Sequence, residues 1–571
     1  MIDLFGGIPS YMLFFIAAAL ALVLRGNIRN ILMLAVPVVS GLLLWETGQG
    51  DEILVNYQVL GYELTPFRTD KLSLLFGYLF HIASFMAILY AIHVKDTGQH
   101  VSALIYAGSA IGAVFAGDYI TLFVFLEIMA VSSAFLVWAR GTDAAIRSGM
   151  RYLIIQVVSG VLLLAGALFV LRDTGSLTFT ELGLQSTAGI LIFLAVGIKA
   201  AFPFVHNWVT DAYPEATPTG AVFLCIFTTK TAVYLLARGF PGEEILIYIG
   251  AMMAAFPIFY AVIENDLRRV LAYSMINQIG FMVCGIGVGT ALAINGAVAT
   301  AFNHVIYKGL LFMSMGAVLH MTGRMNGSDL GGLYKTMPKT MIFCVIGAAS
   351  ISAFPLFSGF VSKAMIMSAV IKDGHDWIWL ILLFAAAGVF HHAGIKIPYF
   401  AFFAHDSGLR PKEPPRNMLW AMGIASALCV GVGCYPAVLY ALLPYEVDYT
   451  AYDLTHVLTQ MQLLCFSALA FVWLNLRGLY PPELRSTNID VEWTYRKFFP
   501  CLIRGSLSIL KPTYNFVSSF FCKLIDKTLI SPLTRYHGPE GLLARTWPVG
   551  SMVLWAATLL GFYLILYYFM E

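Results

Sequence analysis

The sequence contains few charged residues. Only 12% of its 571 residues are Asp, Glu, Lys or Arg, whereas 59% are hydrophobic and the mean hydropathy is +0.79. Soluble domains have roughly 25% charged and 45–50% apolar residues. Apolar runs of about 18 or more residues recur along nearly the whole chain, which argues against soluble domains and predicts a polytopic membrane protein in a lipid bilayer. The net charge of +2 gives no indication of nucleic-acid binding.

The sequence also lacks the residue patterns of several kinds of reactive centre. Its eight cysteines form no CxxC pair and lie mostly in apolar runs, so we expect small core residues and not disulfides or metal ligands. No zinc-ligand spacing, glycine-rich phosphate loop or nucleophile–base–orienter set stands out. The sequence therefore predicts a protein without a metal, a cofactor or covalent catalysis of its own.

The N-terminus lacks the features of a cleaved signal peptide. Asp3 precedes the first apolar run, and neither a basic segment nor a small-residue cleavage site is present. We therefore interpret the first apolar run as a retained transmembrane helix.

The apolar runs divide into about sixteen candidate membrane spans. They are 8–24, 28–45, 71–92, 101–117, 119–138, 150–171, 187–206, 218–238, 244–263, 269–289, 291–320, 340–372, 377–404, 416–436, 458–476 and 547–570. The run 340–372 is expected to break near Pro355, because proline removes a backbone donor and clashes with the preceding turn.

Basic residues are concentrated in the loops that follow the odd-numbered spans, as at Arg140 and Arg147. Loops after the even-numbered spans are poorer in basic residues. By the positive-inside rule the odd exits are cytoplasmic, which predicts both termini on the outer side of a bacterial inner membrane. The acidic loop after Lys199, with Asp211 and Glu215, departs from this pattern, as a broken helix lining a polar cavity would.

The segment 477–546 differs from the rest of the chain. It is rich in Arg, Lys and aromatic residues, contains Pro512 and Pro532, and precedes one last apolar run. This composition favours an amphipathic stretch along the cytoplasmic membrane surface. The alternative is an ordinary linker with scattered apolar residues.

Ionisable residues inside the apolar runs are the strongest functional indication, because such residues are costly in a bilayer and mark ion pathways. They are Glu127, Lys199, Lys230, His304, Lys308, Lys363, His391, His392 and Lys396. The last three lie near a span end, so extension of their polar groups to the membrane surface is an equally weighted interpretation. For Glu127, Lys199, Lys230 and Lys308, apolar residues on both sides favour a functional role.

The stretch 191–238 places two of these lysines on either side of a broken helix. Pro203, Pro214 and Pro218 lie between Lys199 and Lys230, and each interrupts helical hydrogen bonding. Unwound backbone at membrane depth is tolerated where it lines a polar cavity. The stretch therefore predicts part of an ion path.

His304 and Lys308 are four residues apart and so share one face of a helix. Two titratable groups in this arrangement can relay a proton, although a lone buried histidine is more often a satisfied core residue. A carboxylate such as Glu127 that moves towards or away from a buried lysine changes whether the lysine keeps its proton. These residues predict protonation switching.

Several long motifs between about residues 100 and 405 occur in an order that resembles a known family. They are LEIMAVSSAFLV, GIKAAFPFVHNWVTDAYPEATPTG, TTKTAVYLLAR, ENDLRRVLAYSMINQIGFM, FNHVIYKGLLFMSMGAVLH and FPLFSGFVSKAMI. They are similar to the antiporter-like subunits shared by respiratory complex I and Mrp-type multisubunit monovalent cation/proton antiporters. The resemblance implies an all-α polytopic fold of fourteen core helices, with two inverted five-helix repeats, a discontinuous helix in each, and a polar axis across the mid-membrane.

The resemblance also implies residue roles and partners. The matching positions are Glu127 on the fifth helix, Lys199 on the broken seventh, Lys230 as the bridging lysine of the eighth, His304 and Lys308 on the eleventh, and Lys363 on the broken twelfth. His391, His392 and Lys396 form an additional candidate path. The implied partners are other membrane subunits of a hetero-oligomeric complex, with protons and Na⁺ or K⁺ as the transported ions.

Two features separate this chain from the commonest pattern. The motif GIKIPYFAFFAHDSGLRPKEPP, which contains Lys396, resembles the D-type branch of the Mrp antiporter subunits more than the complex I subunits. The tail 477–571 is similar to the extended end of the largest complex I antiporter-like subunit. The leading prediction is a subunit of an Mrp-type antiporter. The alternatives are a proton-pumping subunit of complex I or a related membrane-bound oxidoreductase, and a membrane coupling subunit of an inorganic-carbon uptake module.

The expected organisation follows the predicted repeats. It comprises N-terminal helices (1–100), a first repeat (101–240), a second repeat (241–405), C-terminal core helices (406–476), the amphipathic stretch (477–546) and a last transmembrane helix (547–571).

Overall fold

The computed structural model describes residues 9–48, 53–59, 61–484, 488–539, 541 and 548–570. Within them, twelve helices are long and apolar enough to cross a membrane. This confirms the predicted all-α, polytopic membrane fold.

The α-helices are numbered here in chain order. They are α1 Met12–Val23, α2 Gly26–Thr47, α3 Lys71–Ala91, α4 Thr97–Phe115, α5 Tyr119–Trp138, α6 Asp143–Thr174, α7 Thr187–Lys199, α8 Asn207–Ala212, α9 Gly220–Ile226, α10 Thr228–Gly239, α11 Ile245–Ile263, α12 Leu267–Val288, α13 Ala291–Thr322, α14 Pro338–Ile351, α15 Ser358–Lys372, α16 Asp376–Val389, α17 Arg416–Cys434, α18 Ala437–Tyr440, α19 Leu454–Leu476, α20 Phe499–Ile525, α21 Ser531–His537 and α22 Val549–Met570.

Other regular elements are short. The strands β1 Leu54–Val59 and β2 Tyr62–Arg68 form an antiparallel hairpin between α2 and α3. Two 3₁₀ turns lie between α13 and α14. The π-helical segments are Phe390–Lys396, Tyr399–Phe403, Thr494–Phe498 and Asp526–Ile530. The first two continue α16 to residue 403 as one span.

Each of the sixteen predicted spans corresponds to helical structure. Twelve are the long apolar helices, and the other four are α1, α4, α7 and the pair α14 and α15. The break predicted near Pro355 is the interval between α14 and α15. Hydropathy gives no indication of the β-hairpin, which lies between two spans. Its first strand is largely exposed, and most of its second strand is partly or fully buried.

Helices α4 to α6 recur as α11 to α13 at an offset of 148 residues (245 minus 97). The third helix of each set has 32 residues. Each begins with a threonine cap, at Thr142 and Thr290, because the hydroxyl accepts a backbone N–H of the first turn. Each ends at a left-handed glycine, Gly175 or Gly323, which suits that conformation because it has no Cβ.

The same offset relates two small tertiary contacts. Asp118 forms an isolated β-bridge with Thr178, and Asp266 forms one with Asn326. Each aspartate also caps the helix that follows it, since its carboxylate accepts backbone N–H groups of the first turn. The start of the second helix of each set is thereby joined to the segment that follows the third helix.

A helix is broken at a similar sequence in each half of the chain. The stretch 201–204 reads AFPF and the stretch 353–356 reads AFPL. The first and last residue of each stretch has a left-handed backbone: Ala201 with φ 63°, Phe204 with φ 71°, Ala353 with φ 58° and Leu356 with φ 72°. Non-glycine residues in this region cost roughly 1–2 kcal/mol each, so both breaks are strained.

Residues 489–571 form a compact unit separate from residues 1–488. Its main element is α20, where Phe516, Phe520 and Leu524 follow at four-residue intervals on one face. These side chains are exposed within the chain, as are the described large apolar side chains of α22. The structure therefore shows a helical extension, and its predicted position along the membrane surface stays a prediction. Residues 485–487, 540 and 542–546 of the predicted stretch lie outside the described residues, as does residue 547 of the predicted last helix.

Candidate functional site

Glu127 and Lys199 both lie against α6. Lys199 is the last residue of α7 and is 1% exposed, and its Nζ donates a hydrogen bond of 3.0 Å to Oε1 of Gln156. Glu127, on α5, lies against Gly160, where any Cβ would overlap its carboxylate. Gln156 and Gly160 are one helical turn apart on α6. The carboxylate thus lies within electrostatic reach of the ammonium group.

Lys230 lies where α9 and α10 are interrupted at Phe227. Its Nζ donates to the carbonyl of Cys225 at 2.6 Å and to Oγ1 of Thr229 at 3.2 Å. The last carbonyls of a helix have no intrahelical partner, so the end of α9 offers an acceptor. Sδ of Met275, on α12, is 3.5 Å away. This lysine is fully buried and held by the helix interruption.

His304 and Lys308 lie on one face of α13, fully buried, as their spacing predicts. Neither ring nitrogen of His304 nor Nζ of Lys308 has a hydrogen-bond partner among the described residues. Both groups are within electrostatic reach of Lys230 and of Lys363. Buried polar groups left without protein partners are rare and mark functional sites or water-filled positions. The pair therefore couples Lys230 to Lys363. The set Glu127, Lys199, Lys230, His304, Lys308 and Lys363 is called the main row below.

Lys363 lies on α15 beyond the second helix break. Its Nζ donates to the carbonyl of Ile351, the last residue of α14, at 3.3 Å. The same atom is 4.9 Å from the ring centre of Phe281, a favourable cation–π distance. The break thus supplies the hydrogen-bond acceptor for the lysine, as it does at Lys230.

A cavity of about 300 Å³ adjoins Lys363. Asp453, His456 and Gln460 line its opposite wall, at and after the start of α19. Nε2 of Gln460 donates to the carbonyl of Ser352 in the second break at 3.1 Å. Lys363 therefore lies beside a mostly apolar cavity that polar side chains line in part.

His391, His392 and Lys396 lie on the π-helical segment that follows α16. The His392 ring and the Lys396 ammonium are fully buried. Lys396 does not extend to the surface but contacts the C-terminal end of α11 and Glu483. His392 is within electrostatic reach of both Lys308 and Lys396. The structure thus places this group beside the main row.

Two residues that contact these groups were not identified from the sequence. Gln156 lies in the apolar run IIQVV, where an isolated polar residue is itself a signal. Glu483 follows two prolines after the last core span, where hydropathy and spacing give no indication of a buried partner.

The family model described as NADH:quinone oxidoreductase/Mrp antiporter, TM, matches residues 116–390. This interval begins just before α5 and ends just after α16. It contains the whole row from Glu127 to Lys363.

Individual relatives match over parts of the chain. An uncharacterized protein of Methanocaldococcus jannaschii, MJ1309, is 30% identical over 349 residues, which are 57% of this chain and 72% of the relative. The D-type subunit of the Na(+)/H(+) antiporter of Alkalihalophilus pseudofirmus is 30% identical over 284 residues, 46% of this chain. The matched part spans 58% of that relative.

One solved structure has the same fold along nearly the whole chain. It is a chain of the membrane-bound sulfane sulfur reductase (MBS), described as an archaeal respiratory membrane complex. The TM-score is 0.72 at 24% identity, and the alignment covers 98% of this chain and 99% of that one.

Proposed function

We propose, since this chain belongs to the NADH:quinone oxidoreductase/Mrp antiporter family, that it moves protons through the buried row from Glu127 to Lys363. The chain is an integral multi-span membrane protein and an antiporter-like subunit. One observation carries the proposal: Lys199, Lys230 and Lys363 each lie at a helix end or break, with His304 and Lys308 between the last two.

Proton movement along such a row follows from charge alone. A lysine that gains a proton repels a protonated neighbour and favours loss of that neighbour's proton. Glu127 has the opposite effect on Lys199, because a nearby carboxylate stabilises the ammonium form. A shift of the Glu127 carboxylate along α6 would therefore load or release the first lysine.

The proposed ion coupling rests on the relatives. The relative from Alkalihalophilus pseudofirmus is named as part of a Na(+)/H(+) antiporter, which supports exchange of protons for Na⁺ or K⁺ here. In this function the chain works with other membrane subunits of an Mrp-type complex. Relatives of this family are subunits of multi-subunit membrane complexes.

A second candidate function is proton pumping within a membrane-bound oxidoreductase. The fold shared with a chain of the sulfane sulfur reductase complex extends over 98% of this chain and so includes most of the C-terminal extension. In that setting the redox chemistry belongs to other subunits. The co-purifying proteins of the native complex separate the two candidates: small antiporter subunits favour the first, and quinone-linked iron–sulfur subunits favour the second.

The proposed orientation has both termini on the outer side of a bacterial inner membrane. The offset between α4–α6 and α11–α13 supports two repeats of five spans each. Because five is odd, the second repeat would cross the membrane in the opposite sense to the first. The basic loops after odd-numbered spans support the assignment of the cytoplasmic side.

The experiment that tests the proposal is the substitution Lys199→Ala in the complete complex. We expect proton flux driven by Na⁺ or K⁺ in membrane vesicles to be abolished, while the amount of assembled complex stays unchanged. Lys372→Ala is the matched control, because Lys372 also ends a helix but is exposed. Normal flux in an assembled Lys199→Ala complex would contradict the proposed row.

A further inference from the structure

A buried ion pair joins the π-helical segment Phe390–Lys396 to the segment after α19. Nζ of Lys396 is 2.9 Å from Oε1 of Glu483. The lysine side chain is 0% exposed and the glutamate side chain 6%. Both residues lie outside the interval 116–390 that the family model matches.

The ammonium group of Lys396 already has a full set of backbone acceptors. Its Nζ donates to the carbonyls of Ala261 at 3.3 Å, Val262 at 2.7 Å and Glu264 at 2.6 Å. These are the last carbonyls of α11, which lack intrahelical partners and carry the negative end of the helix dipole. An ammonium group has three hydrogens to donate. Glu483 is therefore a fourth, additional acceptor at the same nitrogen.

The carboxylate of Glu483 is poorly satisfied. Apart from the ion pair, neither of its oxygens has a hydrogen-bond partner among the described residues. Glu264 nearby differs, since its side chain accepts from the N–H groups of Asn265 and Asp266 and from Asn488. Burial raises the pKa of Glu483 above its ordinary value, and Lys396 partly opposes that shift. Its carboxyl group is thus poised to accept a proton.

The pair lies beside the main row and close to exposed residues of the segment after α19. On the inner side, His392 is within electrostatic reach of both Lys308 and Lys396. On the other side, Glu483 lies against Gly327, in the loop that follows α13. His391 adjoins the pair as well, and its ring contacts Tyr480. Pro482 and Leu484, the neighbours of Glu483 in the chain, are exposed, so the carboxylate lies just below the protein surface.

π-Helical segments within longer helices occur frequently at functional sites. Here the segment Phe390–Lys396 ends at the lysine and carries both histidines. The π-helical segment therefore belongs to the same group of residues as the ion pair.

We infer that Glu483 is the proton-exchanging carboxylate at the surface end of a branch that runs from Lys308 through His392 to Lys396. The inference rests on the proposed proton movement through the main row. In the exchange step, the O–H bond of protonated Glu483 breaks and an N–H bond forms on neutral Lys396. The neutral pair becomes the ion pair that the structure shows. Transfer of that proton from Lys396 to His392 then leaves Glu483 ionised, and uptake of a new proton from the surface by Glu483 restores the neutral pair.

The first test is Glu483→Gln in the complete complex, because glutamine keeps the size of the side chain but cannot exchange a proton. We expect cation-driven proton flux in vesicles to fall on the order of tenfold or more. Glu492→Gln is the control, since Glu492 pairs with Arg496 one turn away and has no place in the branch. Wild-type flux in an assembled Glu483→Gln complex would overturn the inference.

A double variant separates proton exchange from structural pairing. Removing both charges of a buried pair is often neutral for stability, whereas removing one leaves the other unpaired. Lys396→Met with Glu483→Gln leaves no unpaired charge but removes the donor to the carbonyls of Ala261, Val262 and Glu264. We therefore expect the double variant to assemble with a lowered thermal midpoint and to keep the flux defect. Restored flux in the double variant would show a structural pair and overturn the inference.

The Lys199→Ala variant separates a failure of the branch from a failure of proton movement through the main row. Lost flux in Lys199→Ala together with normal flux in Glu483→Gln would leave the proposed function intact and remove the branch. Normal flux in both variants would contradict both the proposed function and the branch.

Discussion

Gly160 determines where the first carboxylate of the row can lie. Its missing Cβ leaves the space that the carboxylate of Glu127 occupies against α6. Gln156, one turn away, accepts the hydrogen bond of Lys199. Two uncharged residues of a third helix, Gly160 and Gln156, therefore set the positions of the two charged groups.

Gly160→Ala is expected to lower proton flux, because the added methyl group displaces the Glu127 carboxylate from Lys199. The measurement is cation-driven flux per assembled complex in vesicles. Gly431→Ala is the control, since Gly431 also lies in a helix but a Cβ there meets nothing within 4 Å. That control should keep its flux and gain about 0.5–1 kcal/mol in helix stability. Equal flux in the two variants would show that the position of Glu127 is unimportant.

A residue can be identified from the sequence when its type is unusual among its neighbours in the chain. Glu127, Lys199 and Lys308 stand out because each is charged within an apolar run. Gly160 and Glu483 do not, because their importance comes from contacts with other helices. Their roles in proton movement, like those of the charged residues, stay predictions.

The helix breaks are the elements that make acceptors available to the lysines. At the second break, the end of α14 exposes the carbonyl of Ile351 to Lys363 and that of Ser352 to Gln460. The cost is a left-handed backbone at Ala353 and Leu356. Strain of this kind persists where the surrounding structure enforces it.

Ala353→Gly and Ala348→Gly are matched substitutions that test this strain. Both alanines are buried, but Ala348 is helical in α14 whereas Ala353 has φ 58°. We expect Ala348→Gly to destabilise the protein by about 1 kcal/mol. Ala353→Gly should be neutral or stabilising, because glycine adopts positive φ without cost. Thermal unfolding midpoints of the purified protein give the comparison, and equal losses would argue against a strained break.

Hydropathy predicted the positions of the membrane spans better than the local backbone geometry within them. The sixteen spans and the break near Pro355 follow from long apolar runs and one proline, which are properties of local sequence. The π-helical turns before Lys396 and the left-handed residue on each side of the prolines depend on packing, for which a single sequence carries no local signal.

The chain consists of a helical core and a C-terminal unit that begins at Ile489. Glu483 and Asn488 precede that boundary, and both contact core residues. Large apolar side chains of α20 and α22 are exposed within the chain and require lipid or another protein to cover them. A bracing role for this unit against neighbouring subunits is consistent with that surface.

Two truncations separate the extension from the branch. A chain ending at Asn488 keeps the Lys396–Glu483 pair, so we expect it to fold and keep flux per assembled complex while recovering fewer neighbouring subunits on purification.

A chain ending at Leu476 lacks Glu483 as well, and flux per assembled complex should fall as it does in Glu483→Gln. Full subunit recovery with either truncation would contradict the bracing role. Equal flux from the two truncations would instead contradict the branch. The segment between their ends contains Glu483 and Asn488, which contacts the core, and it contains no part of the separate C-terminal unit.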